Sequence, residues 1–217
     1  MNTDIIRKIH QVKPKVVILD IDGTLKDLCT EHEIALRSIV QKFKVGTHRK
    51  EVIMFLNKIA MSMVKTGVFS TNEIKQRLLV WIFAVISGKD IKRFLSEYYN
   101  CYSKQLELFD GVKEFLTELN NNYNVYFSTI NKQNYNLEES GISKDKIVCS
   151  IGSIKVNTYK KLIENIDVAK DKVLIVGDNV FDDWLAAKLL GVECLLVNNY
   201  NSKLKKVILK LLNGKYL

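Results

Sequence analysis

The stretch Val16-Val17-Ile18-Leu19-Asp20-Ile21-Asp22-Gly23-Thr24 constrains the fold more than any other part of this 217-residue chain. A short unbroken run of β-branched and aliphatic residues suits a strand covered on both faces. Such a strand has no place for a carboxylate, because a charge taken out of water unpaired is strongly unfavourable. Yet two aspartates stand at its carboxyl end, and Gly23 then lets the chain leave in a backbone conformation that other residues resist. A turn rich in Asp and Gly accounts for that motif alone. It does not account for a second run that ends the same way. Residues 173–178 read VLIVGD, and Asn179-Val180-Phe181-Asp182-Asp183 follow. Two strands that both end in acids are a poor way to build a core, so the acids point to chemistry.

The rest of the chain supplies the setting. Residues 16–20, 124–129, 172–177 and 193–197 are short apolar runs of strand type, and residues 147–150 are a weaker fifth. Helical spacing marks residues 112–119, 160–166 and 184–190, the last ending at Gly191 as a helix C-cap does. Strands alternating with helices predict an open α/β fold with a parallel sheet. One segment breaks the rhythm. Residues 32–43, 49–64, 72–85 and 89–106 carry helical periodicity with no convincing strand among them. Ser70 or Thr71 is a candidate cap for the third of these helices, with Glu73 in its first turn. The expected architecture is an α/β core of residues 1–27 and 107–217, with residues 28–106 inserted as an all-helical cap domain. Open α/β sheets bind ligands outside the carboxyl ends of their strands. An insertion leaving right after the first strand would lie over that place as a lid.

If the strands ending at Asp20 and Asp178 are neighbours, their carboxylates meet at one edge of the sheet. Like charges that close repel unless a cation lies between them. Hard oxygen ligands of this kind suit Mg²⁺, which takes one or two carboxylates together with a substrate phosphate. Asp20 is then a candidate nucleophile and Asp22 a candidate acid and base. Thr129 closes the strand 124–129 and could hold a phosphoryl oxygen. Ser128 is the other hydroxyl, but alternation along the strand sends it to the opposite side. Lys155 is the best candidate for the balancing cation, just ahead of the helix that leads to Asp178, with Lys160 and Lys161 as alternatives.

Taken in order, Asp20-Ile21-Asp22-Gly23-Thr24, Thr129, Lys155 and Gly177-Asp178 with Asp182-Asp183 resemble the four motifs of the haloacid dehalogenase-like hydrolases. Leu25 and Asp27 resemble the continuation of the first motif. Phe109-Asp110-Gly111-Val112 resembles the re-entry into the core after a helical cap. The resemblance implies a Rossmann-like core and Mg²⁺-dependent phosphoryl transfer through an aspartyl-phosphate. It implies Asp20 as nucleophile and Asp22 as acid and base. Gly23, Thr24, Thr129 and Lys155 would hold the phosphoryl group. Asp20, the Asp22 carbonyl, Asp178 and an acid of the last motif would hold the metal. Counting back from Gly191 favours Asp183 for that acid, while Asp182 fits a shorter spacing. The second aspartate of the first motif favours a phosphatase or phosphomutase over a dehalogenase. The chain departs from the pattern after Lys155, where no proline follows. Asp27, His32 and Ala35 resemble the D–x4–H–x2–A pattern of β-phosphoglucomutase-like members, although a polar residue on the first cap helix is the plainer reading of His32. Arg37, His48, Arg49 and Lys65 are cap residues that could face the site.

Composition narrows the function classes. The formal net charge of +9 suits an anionic partner: a phosphorylated metabolite, a nucleotide, a nucleic acid or an acidic surface. Cys29, Cys101, Cys149 and Cys194 lie far apart and form no metal-binding pair, so reduced thiols are expected. There is no apolar run long enough to span a bilayer and no signal-like segment, which points to a soluble cytoplasmic protein. The basic amphipathic stretch 203–212 reads as a terminal helix on the core rather than a membrane anchor. The leading expectation is a Mg²⁺-dependent phosphatase for a small phosphorylated metabolite or nucleotide, acting as monomer or homodimer. A phosphomutase comes second. A basic protein that binds nucleic acid or a partner on this fold ranks low, since its motifs would then have decayed.

Overall fold

A computed structural model describes residues 3–68, 73–102, 107–129, 142–149, 155–205 and 207. Five parallel strands form one sheet: β1 (Val16–Asp20), β2 (Asn124–Thr129), β3 (Ile147–Cys149), β4 (Val173–Gly177) and β5 (Glu193–Leu196). Their order is β3-β2-β1-β4-β5. The chain moves outward on one side of β1 through β2 and β3, then crosses to the other side for β4 and β5. The β1/β4 junction is therefore the point where the strand order reverses, and α/β sheets hold ligands beyond the strand ends at such a point. Register fixes what meets there: Asp20 lies opposite Ser128, and Leu19 lies opposite Val176.

The all-apolar character of β1 follows from its place. Alternation sends Val17 and Leu19 to one face and Val16 and Ile18 to the other, and each face has its own apolar layer. On the first face lie α1 (Thr3–Val12) and α6 (Val112–Asn122), with Ile9, Phe115, Leu116 and Leu119 fully buried. On the second lie α7 (Lys155–Asn165) and α8 (Ala186–Leu190), with Tyr159, Leu162 and Ala187. The helix α1 stands where the charged N-terminal text drew no expectation of structure. Ile9 lies four residues after Ile5 and three after Ile6, and Val12 three after Ile9, so the four pack as one stripe against the core while the charged residues point outward.

Between β1 and β2 run α2 (Leu28–Lys42), α3 (Thr47–Lys65), α4 (Glu73–Ser87) and α5 (Ile91–Tyr102). They surround an apolar core of their own, containing Leu36, Ile39, Ile53, Val80, Phe83, Phe94 and Tyr98. Asp27 caps α2 by accepting from Thr30 N at 3.1 Å, and Asp90 caps α5 by accepting from Arg93 N at 2.7 Å. The two chain segments joining this helical module to the sheet run side by side. Asp27 N donates to Glu107 O at 2.6 Å, and Phe109 N donates to Leu25 O at 3.0 Å.

Two helix starts differ from the sequence reading. The helix expected at 160–166 starts at Lys155, so that lysine is its first residue rather than a residue ahead of it. The helix expected at 184–190 is preceded by a π turn (Val180–Leu185). The Asn179 side chain accepts from Phe181 N at 2.9 Å and Asp182 N at 3.0 Å, which starts the helical turn four residues early. The fourth helix of the module is described to Tyr102, and residues 103–106 lie outside the described residues, as do Ser70, Thr71 and residues 208–212.

Candidate active site

Asp20 ends β1, and Asp178 follows the last residue of β4 on the neighbouring strand. Asp183 returns to the same place from the π turn. Asp20, Asp178 and Asp183 each bring a carboxylate oxygen within 4.8 Å of the other two, and all three are buried. Each acid has defined support. Thr24 Oγ1 donates to Asp20 Oδ2 at 2.9 Å and lies 3.4 Å from Asp178 Oδ1. Lys155 Nζ bridges Asp20 Oδ1 at 2.6 Å and Asp183 Oδ1 at 2.7 Å. Asp183 also accepts from Tyr159 Oη at 2.6 Å and from Asn179 N at 2.8 Å.

Gly23 has φ +86°, and a Cβ on it would lie 2.7 Å from Asp178 Oδ2. Glycine is needed there for both reasons, since no side chain fits between the turn and the acid. Asn199 ties the same turn down from the far side, with its Nδ2 donating to Gly23 O at 3.1 Å and to Thr24 O at 2.7 Å.

Burial pushes the Asp20 carboxyl well above its ordinary pKa; Lys155 opposes the rise, and Asp183, Asp178 and Asp22 add to it. Asp178 is pushed up to about 6, by burial first and with Asp183 adding, against the pull of Lys205 and Lys155. Lys155 shows the converse. Burial works to lower its ammonium's pKa, but Asp183 and Asp20 on either side hold it above the ordinary lysine value. The site thus concentrates more negative charge than its lysines neutralise. It presents hard oxygen donors to a shared point, and that donor set fits Mg²⁺.

Asp22 stands just outside this cluster. Its Oδ2 accepts from Thr129 Oγ1 at 3.0 Å, and its Oδ1 lies 3.4 Å from Lys26 Nζ. Thr129 is therefore at the site. Ser128 Oγ is buried without a hydrogen-bond partner, and Ser128 lies opposite Asp20 in the β1/β2 register. Of the two acids in the last motif, Asp183 joins the cluster. Asp182 turns away, half-buried, with its backbone N bonded to Asn179. Lys160 is exposed and faces Glu164 at 3.8 Å, and Lys161 is exposed as well, so neither is at the site. Among the cap candidates, Arg37 pairs with Glu33 at 2.6 Å and Arg49 donates to Ser87 O at 3.1 Å, which commits both elsewhere. Lys65 lies over the Tyr200 ring, 5.6 Å from its centroid, and His48 is exposed.

Several residues of the site carry no mark in the sequence. Lys205 is buried, its Nζ donates to Val197 O at 2.9 Å, and it faces the acids closely enough to lower the pKa of Asp178. Tyr159 sits one helical turn after Lys155, on the face that looks toward Asp183. Lys26 and Glu31 form a buried pair beside Asp22. The one signal available was spacing: Tyr159 at four residues from Lys155 and Lys26 at four from Asp22.

The model of the haloacid dehalogenase-like hydrolase family matches residues 17–197, a span that holds every one of the clustered acids. The chain belongs to that family. Solved structures agree on the fold. A HAD-hydrolase from Bacillus subtilis, YfnB, solved with magnesium bound, superposes with TM-score 0.66 at 18% identity over 86% of this chain and 87% of its own. A Clostridium difficile structure described as a phosphatase gives 0.63 at 20% identity over 86% of each chain. A Thermotoga maritima structure described as a β-phosphoglucomutase gives 0.59 at 19% over 91% of this chain and 99% of its own. At such identities the likeness is one of fold. No curated protein matches the sequence. Among the described residues, no helix is long and apolar enough to cross a membrane.

Proposed function

We propose that the protein is a cytoplasmic Mg²⁺-dependent phosphatase that hydrolyses a small phosphorylated metabolite or nucleotide through a phosphoryl group carried on Asp20. The observation that carries this reading is the placement of Asp20. It stands at the β1 tip among buried acids, bound by Lys155 and Thr24, with Asp22 held two residues on by Thr129. Asp20, Asp178 and Asp183, with the Asp22 carbonyl, would hold the metal. When bound, Mg²⁺ supplies positive charge that keeps the acids ionised and draws a phosphate into the site.

The steps fall to the chain's own residues. The Asp20 carboxylate attacks phosphorus and the bond from phosphorus to the ester oxygen breaks. Asp22 gives its proton to the departing alkoxide, so the product leaves as an alcohol. A water then loses a proton to Asp22 and attacks phosphorus. The bond to Asp20 breaks, inorganic phosphate leaves, and Asp20 and Asp22 return to their starting states. Lys155 and the Thr129 hydroxyl offset and orient the phosphoryl oxygens. Residues 28–106 act as the cap, tied to the core by the paired segments around Asp27 and Glu107, and its closure excludes water and favours small substrates.

A phosphomutase would use the same acids, and the β-phosphoglucomutase fold likeness keeps that chemistry in view. The histidine on which that reading leans is not at the acids. His32 is buried in the helical module, bonded through Nδ1 to the Tyr98 hydroxyl. Hydrolysis is the better reading.

The test is phosphate release from phosphorylated sugars, nucleotides, glycolate phosphate and an aryl phosphate, with Mg²⁺, with EDTA and with Asp20→Asn. Release that requires Mg²⁺ and disappears in Asp20→Asn supports the reading. No release from the wild-type protein across the panel refutes it.

A further inference from the structure

Lys26 lies in a buried charge cluster that the steps above do not use. Its side chain has no solvent exposure, and its Nζ sits 2.7 Å from Glu31 Oε2 and 3.4 Å from Asp22 Oδ1. The Tyr102 ring flanks the ammonium, 5.4 Å from centroid to Nζ. Glu31 is buried as completely, and its Oε1 accepts from Glu107 N at 2.9 Å on the returning chain segment. The Lys26 backbone closes the turn that carries Asp22: Lys26 N donates to Ile21 O at 3.0 Å, and Lys26 O accepts from Gly23 N at 2.9 Å.

Packing does not call for a lysine here. Replacing a buried ion pair by apolar residues of similar volume is commonly neutral or stabilising. A methionine opposite a leucine would fill this space, and the chain instead keeps two charges. The charge has a neighbour that makes use of it. Asp22 presents one oxygen to Thr129, which comes from β2, and the other to Lys26, which comes from the turn. Two donors on different elements, one at each oxygen, fix both the position and the plane of the carboxyl group.

We propose that Lys26 is a positioning residue for Asp22. Together with Thr129 it sets the carboxyl at the place from which the proton passes to the leaving group, and Glu31 holds Lys26 in line. The catalytic consequence rests on the phosphatase reading; the placement of Asp22 does not. A placed proton donor contributes about 10²–10⁴-fold to rate, and it matters most when the leaving group is a poor one. An alkoxide needs that proton, whereas 4-nitrophenolate hardly does.

The experiment uses the full chain with Mg²⁺ and two variants, Lys26→Met and the double variant Lys26→Met, Glu31→Leu. The double variant removes the unpaired buried carboxylate that the single change leaves behind, so it guards against simple misfolding. Crystal structures of wild type and variants read where Asp22 lies. Kinetics compare an alkyl phosphomonoester with 4-nitrophenyl phosphate. The expected result is an Asp22 carboxyl swung off Thr129, with kcat on the alkyl ester down roughly 30-fold or more. On the aryl ester kcat falls less than about 3-fold, and KM stays within about twofold on both. An Asp22 that keeps its place in the double variant, or equal losses on both esters, overturns the proposal. A wild-type protein that releases phosphate from neither ester refutes the phosphatase reading instead, and the position of Asp22 in the variant crystals then decides on Lys26.

Discussion

Asp183 occupies the space in which residue 177 would carry a side chain: a Cβ on Gly177 would lie 2.2 Å from Asp183 Cγ. The acid cannot step aside, because Tyr159 Oη, Lys155 Nζ and Asn179 N all hold its carboxylate. Gly177→Ala therefore drives the carboxyl out of its place. The expected outcome is a loss of roughly 2–4 kcal/mol of stability and of at least about a hundredfold in phosphate release, with Mg²⁺ no longer raising the melting temperature. Tyr159→Phe is milder, since two partners remain. It should lower stability by about 2 kcal/mol, the scale of one hydrogen bond to a charged group. Thermal unfolding with and without Mg²⁺, beside a phosphate assay, checks both.

Gly67 makes the corresponding contact from the helical module. It follows α3, has φ +67°, and its O accepts from Val180 N at 2.8 Å, directly beyond Asp178. A Cβ there would fall 2.0 Å from Lys205 Cε and 2.8 Å from Asp178 O. The lysine chain could give a little, but the backbone oxygen could not. Gly67→Ala thus combines backbone strain with a module pushed off the strand ends. Expected are a stability loss of about 1–2 kcal/mol and a kcat/KM roughly tenfold lower. An unchanged kcat/KM would show that the Gly67 contact plays no part in closing the site.

The sheet and its acids were legible because they break a strong rule. An apolar run that ends in carboxylates is conspicuous, and Asp20 and Asp178 meet once β1 and β4 are neighbours, as they are. Counting back from Gly191 favours Asp183, the acid that joins the cluster, but only narrowly over Asp182, because helical counting at 3.6 residues per turn does not hold across the π turn that carries both. Lys155 was one plausible cation among 33 Lys and Arg residues, and it took the fold to turn it toward Asp20 rather than solvent. Lys26, Lys205 and Glu31 were hidden for the same reason. Whether a charged side chain is buried is a property of tertiary packing, and nothing in local periodicity marks it. The helix α1 was hidden differently, since its four apolar positions are diluted by charge and only their spacing shows the stripe.

His32 makes the helical module sensitive to acid. Its ring is buried against Phe83 of α4 and bonded through Nδ1 to the Tyr98 hydroxyl of α5, with Asn57 of α3 and Glu33 of its own helix nearby. Burial holds its pKa down to about 4, against the opposing pull of Asn57 and Glu33. The unfolded chain takes up this proton near pH 6.5 and the folded chain only near 4, so stability falls as pH drops through that window. Above pH 6.5 the contribution is complete. Glu31 acts in the opposite sense: burial lifts it to about 7, so its contribution is complete below about 4.5 and is lost as pH rises from there to about 7. A single pH curve would mix the two, but the difference between wild type and His32→Gln isolates the histidine. Urea unfolding at pH 7 and pH 5 should show the wild type losing about 2 kcal/mol more than the variant over that interval. Parallel losses would mean that the histidine ionises in the folded module without penalty, and that water reaches the ring between α2 and α5.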